Sequence, residues 1–136
     1  TMNALLTILF VLFPSEDKIK INDAWMRPSS EKMATALYFV IENKSETADT
    51  LFQVDSDLAE RVEIHETYSE GEMMGMRKVE FLVIEAQGSF ELKPGAHHIM
   101  LMKLKKDIKD GDKGDFVLHF KQAGELKITA TAKKSN

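Results

Sequence analysis

Four residues of this sequence are best equipped for chemistry: His65, Met76, His98 and Met100. Ten residues separate His65 from Met76, 21 separate Met76 from His98, and one lies between His98 and Met100. Side chains alternate along a strand, so His98 and Met100 share one face while Ile99 and Leu101 point to the core. In Arg61 to Thr67, Val62 and Ile64 occupy one face and Glu63 and His65 the other. Two separate strands therefore present a histidine away from the apolar interior. Met76 follows a glycine-containing turn, where a hairpin can fold it back over them. Thioether sulfur is soft and uncharged, and binds Cu(I) well and Zn(II) or Mg(II) poorly; imidazole suits copper in either oxidation state. Two of each favour one Cu(I) ion per chain in a distorted tetrahedron. With neutral ligands the site keeps a single positive charge, which is cheaper to bury than two. A blue-copper centre needs a thiolate, and the chain has no cysteine. Each histidine must be neutral to bind, so affinity is expected to fall below pH of about 6.5.

Taken singly, each residue has a plainer role: a surface histidine, or a methionine that packs. The clustering argues otherwise. Five of the eight methionines (Met73, Met74, Met76, Met100 and Met102) fall between residues 73 and 102, together with His97 and His98. Met73 and Met74 read either as spare thioethers for copper entry or as an apolar hairpin tip, the tip being favoured, and Met102 as packing around the site. His97 should point away from His98. His119, between core-facing Leu118 and Phe120, should face solvent. Glu66 and Arg77 neighbour the ligands and read either as charges that steer a partner or, by default, as solvated charges.

The spacing resembles the signature of the periplasmic copper chaperone family known as PCuAC: His, ten residues, Met, 21 residues, His, any residue, Met. The resemblance covers roughly residues 18 to 131. It includes Ala24-Trp25-Met26-Arg27, Tyr38 to Asn43, Ile64-His65-Glu66, Gly75-Met76-Arg77 and Pro94 to Met102. It implies a cupredoxin-like Greek-key β-sandwich with Cu(I) at an exposed edge. It also implies a periplasmic location and delivery of copper to an acceptor, such as a cytochrome c oxidase subunit or another copper chaperone. Some members carry a C-terminal extension rich in Met and His. After His119 this chain has neither, so no second, Cu(II)-type site is expected.

The elements that must position these residues read as all-β. Ile19 and Ile21 alternate with charges and lead to Trp25, before Arg27 to Ser30 breaks the run. Ala36 to Glu42 is a buried strand, and Leu51 to Val54 and Arg61 to Thr67 are further strands. Tyr68 to Glu72 is expected to turn. Arg77 to Ile84 holds Val79, Phe81 and Val83 at period two, as one strand face. Phe90 and Leu92 precede a break at Lys93-Pro94-Gly95, and His98 to Leu104 is a strand. Asp110 to Gly114 turns. Phe116, Leu118 and Phe120 share a face, Gln122 to Glu125 is a hairpin turn, and Leu126, Ile128 and Ala130 close the domain. Short strands with turns every eight to twelve residues indicate a sandwich or barrel.

The bulk properties set limits. A chain of 136 residues suits one domain able to fold without staples. A formal net charge of −4 offers no basic excess for nucleic acid. Ala4 to Phe13 is apolar but too short to span a bilayer; it suits the core of a secretion signal, the alternative being a first strand or amphipathic element of the domain. The expected organisation is residues 1–17 as an apolar segment outside the core, 18–132 as the copper-binding domain, and 133–136 as a frayed polar tail. Contact with a membrane is expected only through the first segment if it is uncleaved, and residues 4–13 could also mediate self-association. No Ser-His-Asp order, phosphate-cradling glycine loop or zinc-type His-Glu spacing points to an enzyme. The alternatives are a copper-buffering protein without a dedicated acceptor, or a β-sandwich interaction module that binds no metal.

Overall fold

A computed structural model describes residues 18–135. The apolar stretch 4–13, with the expectations attached to it, lies outside the described residues. Ten strands follow in order: β1 (Ile19–Met26), β2 (Thr35–Asn43), β3 (Asp49–Asp55), β4 (Ala59–Glu70), β5 (Met73–Lys78), β6 (Leu82–Ile84), β7 (Ser89–Glu91), β8 (His97–Leu104), β9 (Lys113–Phe120) and β10 (Gly124–Ala132). They form one hydrogen-bonded path, β5-β4-β8-β2-β1-β10-β9-β3-β6, with β7 also paired to β2. The β1–β10 pairing is parallel, with Trp25 opposite Thr131. Among the described residues no helix is long and apolar enough to cross a membrane.

The path folds over a shared apolar core. Leu37, Phe39 and Ile41 of β2, Ile64 of β4, and Ile99 and Leu101 of β8 meet Leu51, Val54, Leu82, Ile84, Phe116, Leu118 and Phe120 from the other half. Each large side chain removed from water contributes about 1.5–3 kcal/mol, which makes this contact the main stabiliser of the sandwich. Two buried polar residues pin its turns. The Asp49 carboxylate accepts the backbone N–H groups of Thr50, Gln122 and Ala123. The Asn43 side-chain amide donates to the carbonyls of Thr47 and Ile84.

Two local devices place the outer face of β4, β5 and β8. Strands β7 and β8 pair with the same edge of β2, Phe90 opposite Ile41 and Ile99 opposite Leu37, as one interrupted strand. The interruption is a turn in which Ala96 N donates to Lys93 O at 3.0 Å. Gly95 takes φ +83° there, after a proline already restricted in φ, as a type II turn requires. The chain then re-enters the sheet at His97. The second device is the β4–β5 hairpin, closed by Gly71-Glu72 with Gly71 at φ +63°. Tyr68 lies over its cross-strand partner Gly75, where an added Cβ would come within 2.7 Å of the phenol oxygen.

Several local expectations need correction. Tyr68 to Glu72 is not all turn, because β4 runs on to Glu70. Arg77 to Ile84 is not one strand. β5 ends at Lys78 beside β4, and the chain crosses to β6, which pairs with β3. Leu82 and Ile84 therefore face the core, while Phe81 and Val83 are exposed. Lys113 and Gly114 already belong to β9. Lys133 is tied down rather than frayed, its N–H bonded to Met26 O and its ammonium over the Trp25 ring.

Candidate metal centre

Strand register brings the four donors to one face. His65 on β4 stands directly opposite His98 on β8, with ring centroids 5.8 Å apart and planes at 58°. Met100, two residues along β8, shares the face of His98 and sits opposite Glu63. Met76 on β5 pairs with Thr67, two residues from His65 along β4. Met76, His98 and Met100 line a cavity of about 280 Å³ with Thr67, Tyr38 and Arg27. His65 adjoins it through its ring contact with His98. The structure thus brings the four together.

Burial across the site is graded. Met76, on edge strand β5, is 57% exposed, whereas His98 is 2% exposed. Alternation alone puts His98 on the outer face, and the neighbouring strands cover it. Tyr38 lies beside it with ring centroids 6.4 Å apart, and Trp25 packs on Tyr38 at 4.8 Å. The Arg27 guanidinium lies over both aromatic rings, 5.6 Å from Tyr38 and 5.9 Å from Trp25.

Each imidazole has one nitrogen engaged and one free. His98 Nδ1–H donates to Ala96 O at 3.3 Å, and His65 Nε2–H donates to Glu63 Oε1 at 3.0 Å. A carbonyl only accepts, as does an ionised carboxylate, so these partners place the ring protons and leave lone pairs on His98 Nε2 and His65 Nδ1. Among the described residues, those two nitrogens are the buried side-chain polar atoms without a hydrogen-bond partner. A buried polar atom left unpaired costs about 1–3 kcal/mol, so such a pair calls for an explanation. A metal ion accepted from outside supplies one.

The electrostatics keep the site ready. Burial pushes the His98 imidazole below its ordinary value; the Ala96 carbonyl opposes this, and the neighbouring His65 and His97 add to it. The hydrogen bond from His65 holds the Glu63 carboxyl below the usual range, opposed by burial and helped by Arg61 and Lys78. No group of three or more His, Cys, Asp or Glu side chains converges among the described residues. The donors this face does offer are two imidazoles and two thioethers, a set that suits soft Cu(I).

The other candidates fall around this centre. Met73 and Met74 are about three-quarters exposed at the hairpin, as expected of a tip. Met102 lies within 3.5 Å of the Arg61 guanidinium. His97 points away from the site and pairs with Glu66 at 3.3 Å, beside Phe90. Arg77 and Glu66 are bonded to each other at 2.7 Å rather than separately solvated. His119 is on the outer face as expected, but its side chain is only 17% exposed, held by Asp55 at 2.6 Å. Sequence reasoning missed Tyr38 and Arg27 as neighbours of the donors, and placed Glu63 on the face of His65 without assigning it the bond to the ring. That bond was findable, because residues i and i−2 of a strand share a face.

Comparison with known proteins agrees with this fold. A family model described as "Putative lipoprotein LpqE-like" matches residues 19–132. The uncharacterized protein RP573 of Rickettsia prowazekii is 29% identical over 114 residues, covering 80% of this chain; the chain spans 63% of that relative's length. The copper-bound PCuAC domain from PmoF2 is 25% identical with a TM-score of 0.72, covering 85% of this chain and 92% of that domain. The Cu(I) form of DR1885 from Deinococcus radiodurans is 30% identical with a TM-score of 0.62, covering 80% and 76% of the two chains. The sandwich is thus of the cupredoxin-like type found in PCuAC domains. With its fold and nearly all of its described sequence matched, this chain belongs to the LpqE-like family and is a PCuAC-type protein.

Proposed function

We propose that this protein is an extracytoplasmic, periplasmic copper carrier that holds one Cu(I) ion with His65, Met76, His98 and Met100. The observation that carries the reading is the pair of buried, unpartnered imidazole nitrogens beside a cavity lined by two methionines. The copper-bound and Cu(I) relatives support the choice of metal. The lipoprotein description of the family supports the compartment. The carrier unit is residues 18–132.

The carrier works by ligand exchange rather than catalysis. His98 and Met100 sit on β8, inside the sheet, while Met76 sits on the edge strand β5. An incoming thiolate or thioether reaches Met76 first and displaces it without opening the core. The remaining donors then let go in turn, and the ion passes to an acceptor such as a cytochrome c oxidase subunit or another copper chaperone. No covalent bond within the protein changes.

A Cu(I) titration under reducing conditions, against a competing chelator, tests the site. One equivalent should bind, and Met100→Ala should weaken it severely. Equal uptake by parent and variant would sink the assignment. Transfer of the ion to an apo acceptor separates a carrier from a copper buffer.

A further inference from the structure

We propose that Glu63 is a positioning residue for the metal, fixing His65 so that it ligates through Nδ1 while His98 ligates through Nε2. The inference rests on the copper reading of the same site. Neither histidine is free to choose its nitrogen. His98 is set by a backbone carbonyl, which side-chain substitution cannot remove. His65 is set by a side chain: Glu63 Oε1 receives Nε2–H at 3.0 Å. The other oxygen of that carboxylate, Oε2, lies 3.6 Å from Arg61 Nε. Arg61 in turn reaches Met102 Sδ at 3.5 Å. The orientation of His65 is thus passed along Arg61, Glu63 and the imidazole on one face of β4.

The geometry leaves little alternative. Glu63 and His65 are two residues apart on one strand face, so the carboxylate approaches the ring from one side only. With its proton held at Nε2, the ring presents the Nδ1 lone pair, which is buried and unpaired. A carboxylate behind a metal-bound imidazole also raises its basicity, and loss of such a partner costs about 10–100-fold in metal affinity. Within the site Glu63 adds one negative charge beside a monovalent ion, and so balances it without ligating it. The two histidines then meet the ion through different nitrogens, because their anchors lie at opposite ends of the two rings.

Long-range proton–nitrogen NMR of the histidine rings tests this, first in the apo protein and then with Cu(I), which is diamagnetic. Apo His65 should be the Nε2–H tautomer, and Glu63→Leu should convert it to a mixture. On Cu(I) addition the shifts should move at His65 Nδ1 and His98 Nε2. Affinity should fall about 10–100-fold in Glu63→Leu. Glu63→Gln, which keeps an acceptor oxygen in place, should recover much of it. Thermal unfolding of both variants checks that they fold. A copper-linked shift at His65 Nε2, or an apo tautomer unchanged by Glu63→Leu, would overturn the proposal. If the parent binds no Cu(I), the copper reading fails and the ligand-atom assignment fails with it. The apo tautomer still decides whether Glu63 sets the ring.

Discussion

Replacing His98 with leucine should leave the metal-free protein at least as stable while removing its response to copper. The reasoning runs from burial. His98 is 2% exposed, and its Nε2 has no partner. That unpaired nitrogen costs about 1–3 kcal/mol, which the substitution recovers. The loss is the Nδ1 bond to Ala96, a long contact of 3.3 Å and worth about 1 kcal/mol or less. Ala96 O is not orphaned, because Thr67 N also donates to it at 3.1 Å. The net effect is between about 0 and +3 kcal/mol in favour of leucine, or a Tm raised by up to about 10 °C at this chain length. Leucine is preferable to alanine, which would leave a cavity and confound the sign. Copper acts in the opposite sense. At a free Cu(I) concentration of 1,000 times Kd, binding stabilises the parent by about 4.1 kcal/mol, and the variant should lose nearly all of it. Thermal unfolding followed by circular dichroism, with and without Cu(I) in reductant, reads both quantities. A metal-free variant destabilised by more than about 2 kcal/mol would show that His98 is a structural residue. A retained copper response would refute the ligand assignment directly.

Three further outcomes are expected. The depressed His98 value has a signed consequence for the metal-free protein: the unfolded chain takes up the proton at about pH 6.5 and the folded one only below it. Stability should therefore fall as pH drops from 6.5 to the folded value, a loss that urea titrations should find missing in His98→Leu. Protons should compete for His98 in Cu(I) binding only below that lowered value, a shift visible in chelator competition across pH 5 to 7. Met76→Leu should change stability by no more than about 0.5 kcal/mol, since the side chain is 57% exposed, yet weaken Cu(I) by about tenfold or more. Asp49→Ala should cost about 2 kcal/mol or more in denaturant unfolding, because three backbone N–H groups lose a charged acceptor, with Cu(I) stoichiometry unchanged.

The shared face of the four candidate donors was legible in the sequence because they lie on regular strands. Alternation alone puts His65 opposite Ile64, and His98 with Met100 opposite Ile99, and the register bears this out. Alternation cannot give burial, which depends on what a distant strand lays over the face. His98 is covered because Tyr38 and Trp25 arrive from β2 and β1. It failed outright after Lys78. Val79, Phe81 and Val83 alternate convincingly, but the chain leaves one layer for the other between them, with no glycine or proline to mark the crossing. The parallel pairing of β1 with β10 joins opposite ends of the chain, and no local pattern encodes such contacts.

The exposed edge strand has a cost that the buried half of the site does not share. Met73, Met74 and Met76 are exposed to solvent, whereas Ile99 and His98 are sealed within the sheet. Peroxide or hypochlorite would convert such side chains to sulfoxides, which are polar and bind through oxygen, a poor match for a soft ion. Damage would start at the hairpin and disarm the carrier before it loosened the fold. Met73 and Met74 are more exposed than Met76 and would be oxidised at least as readily, and reductase repair would reverse the change without refolding.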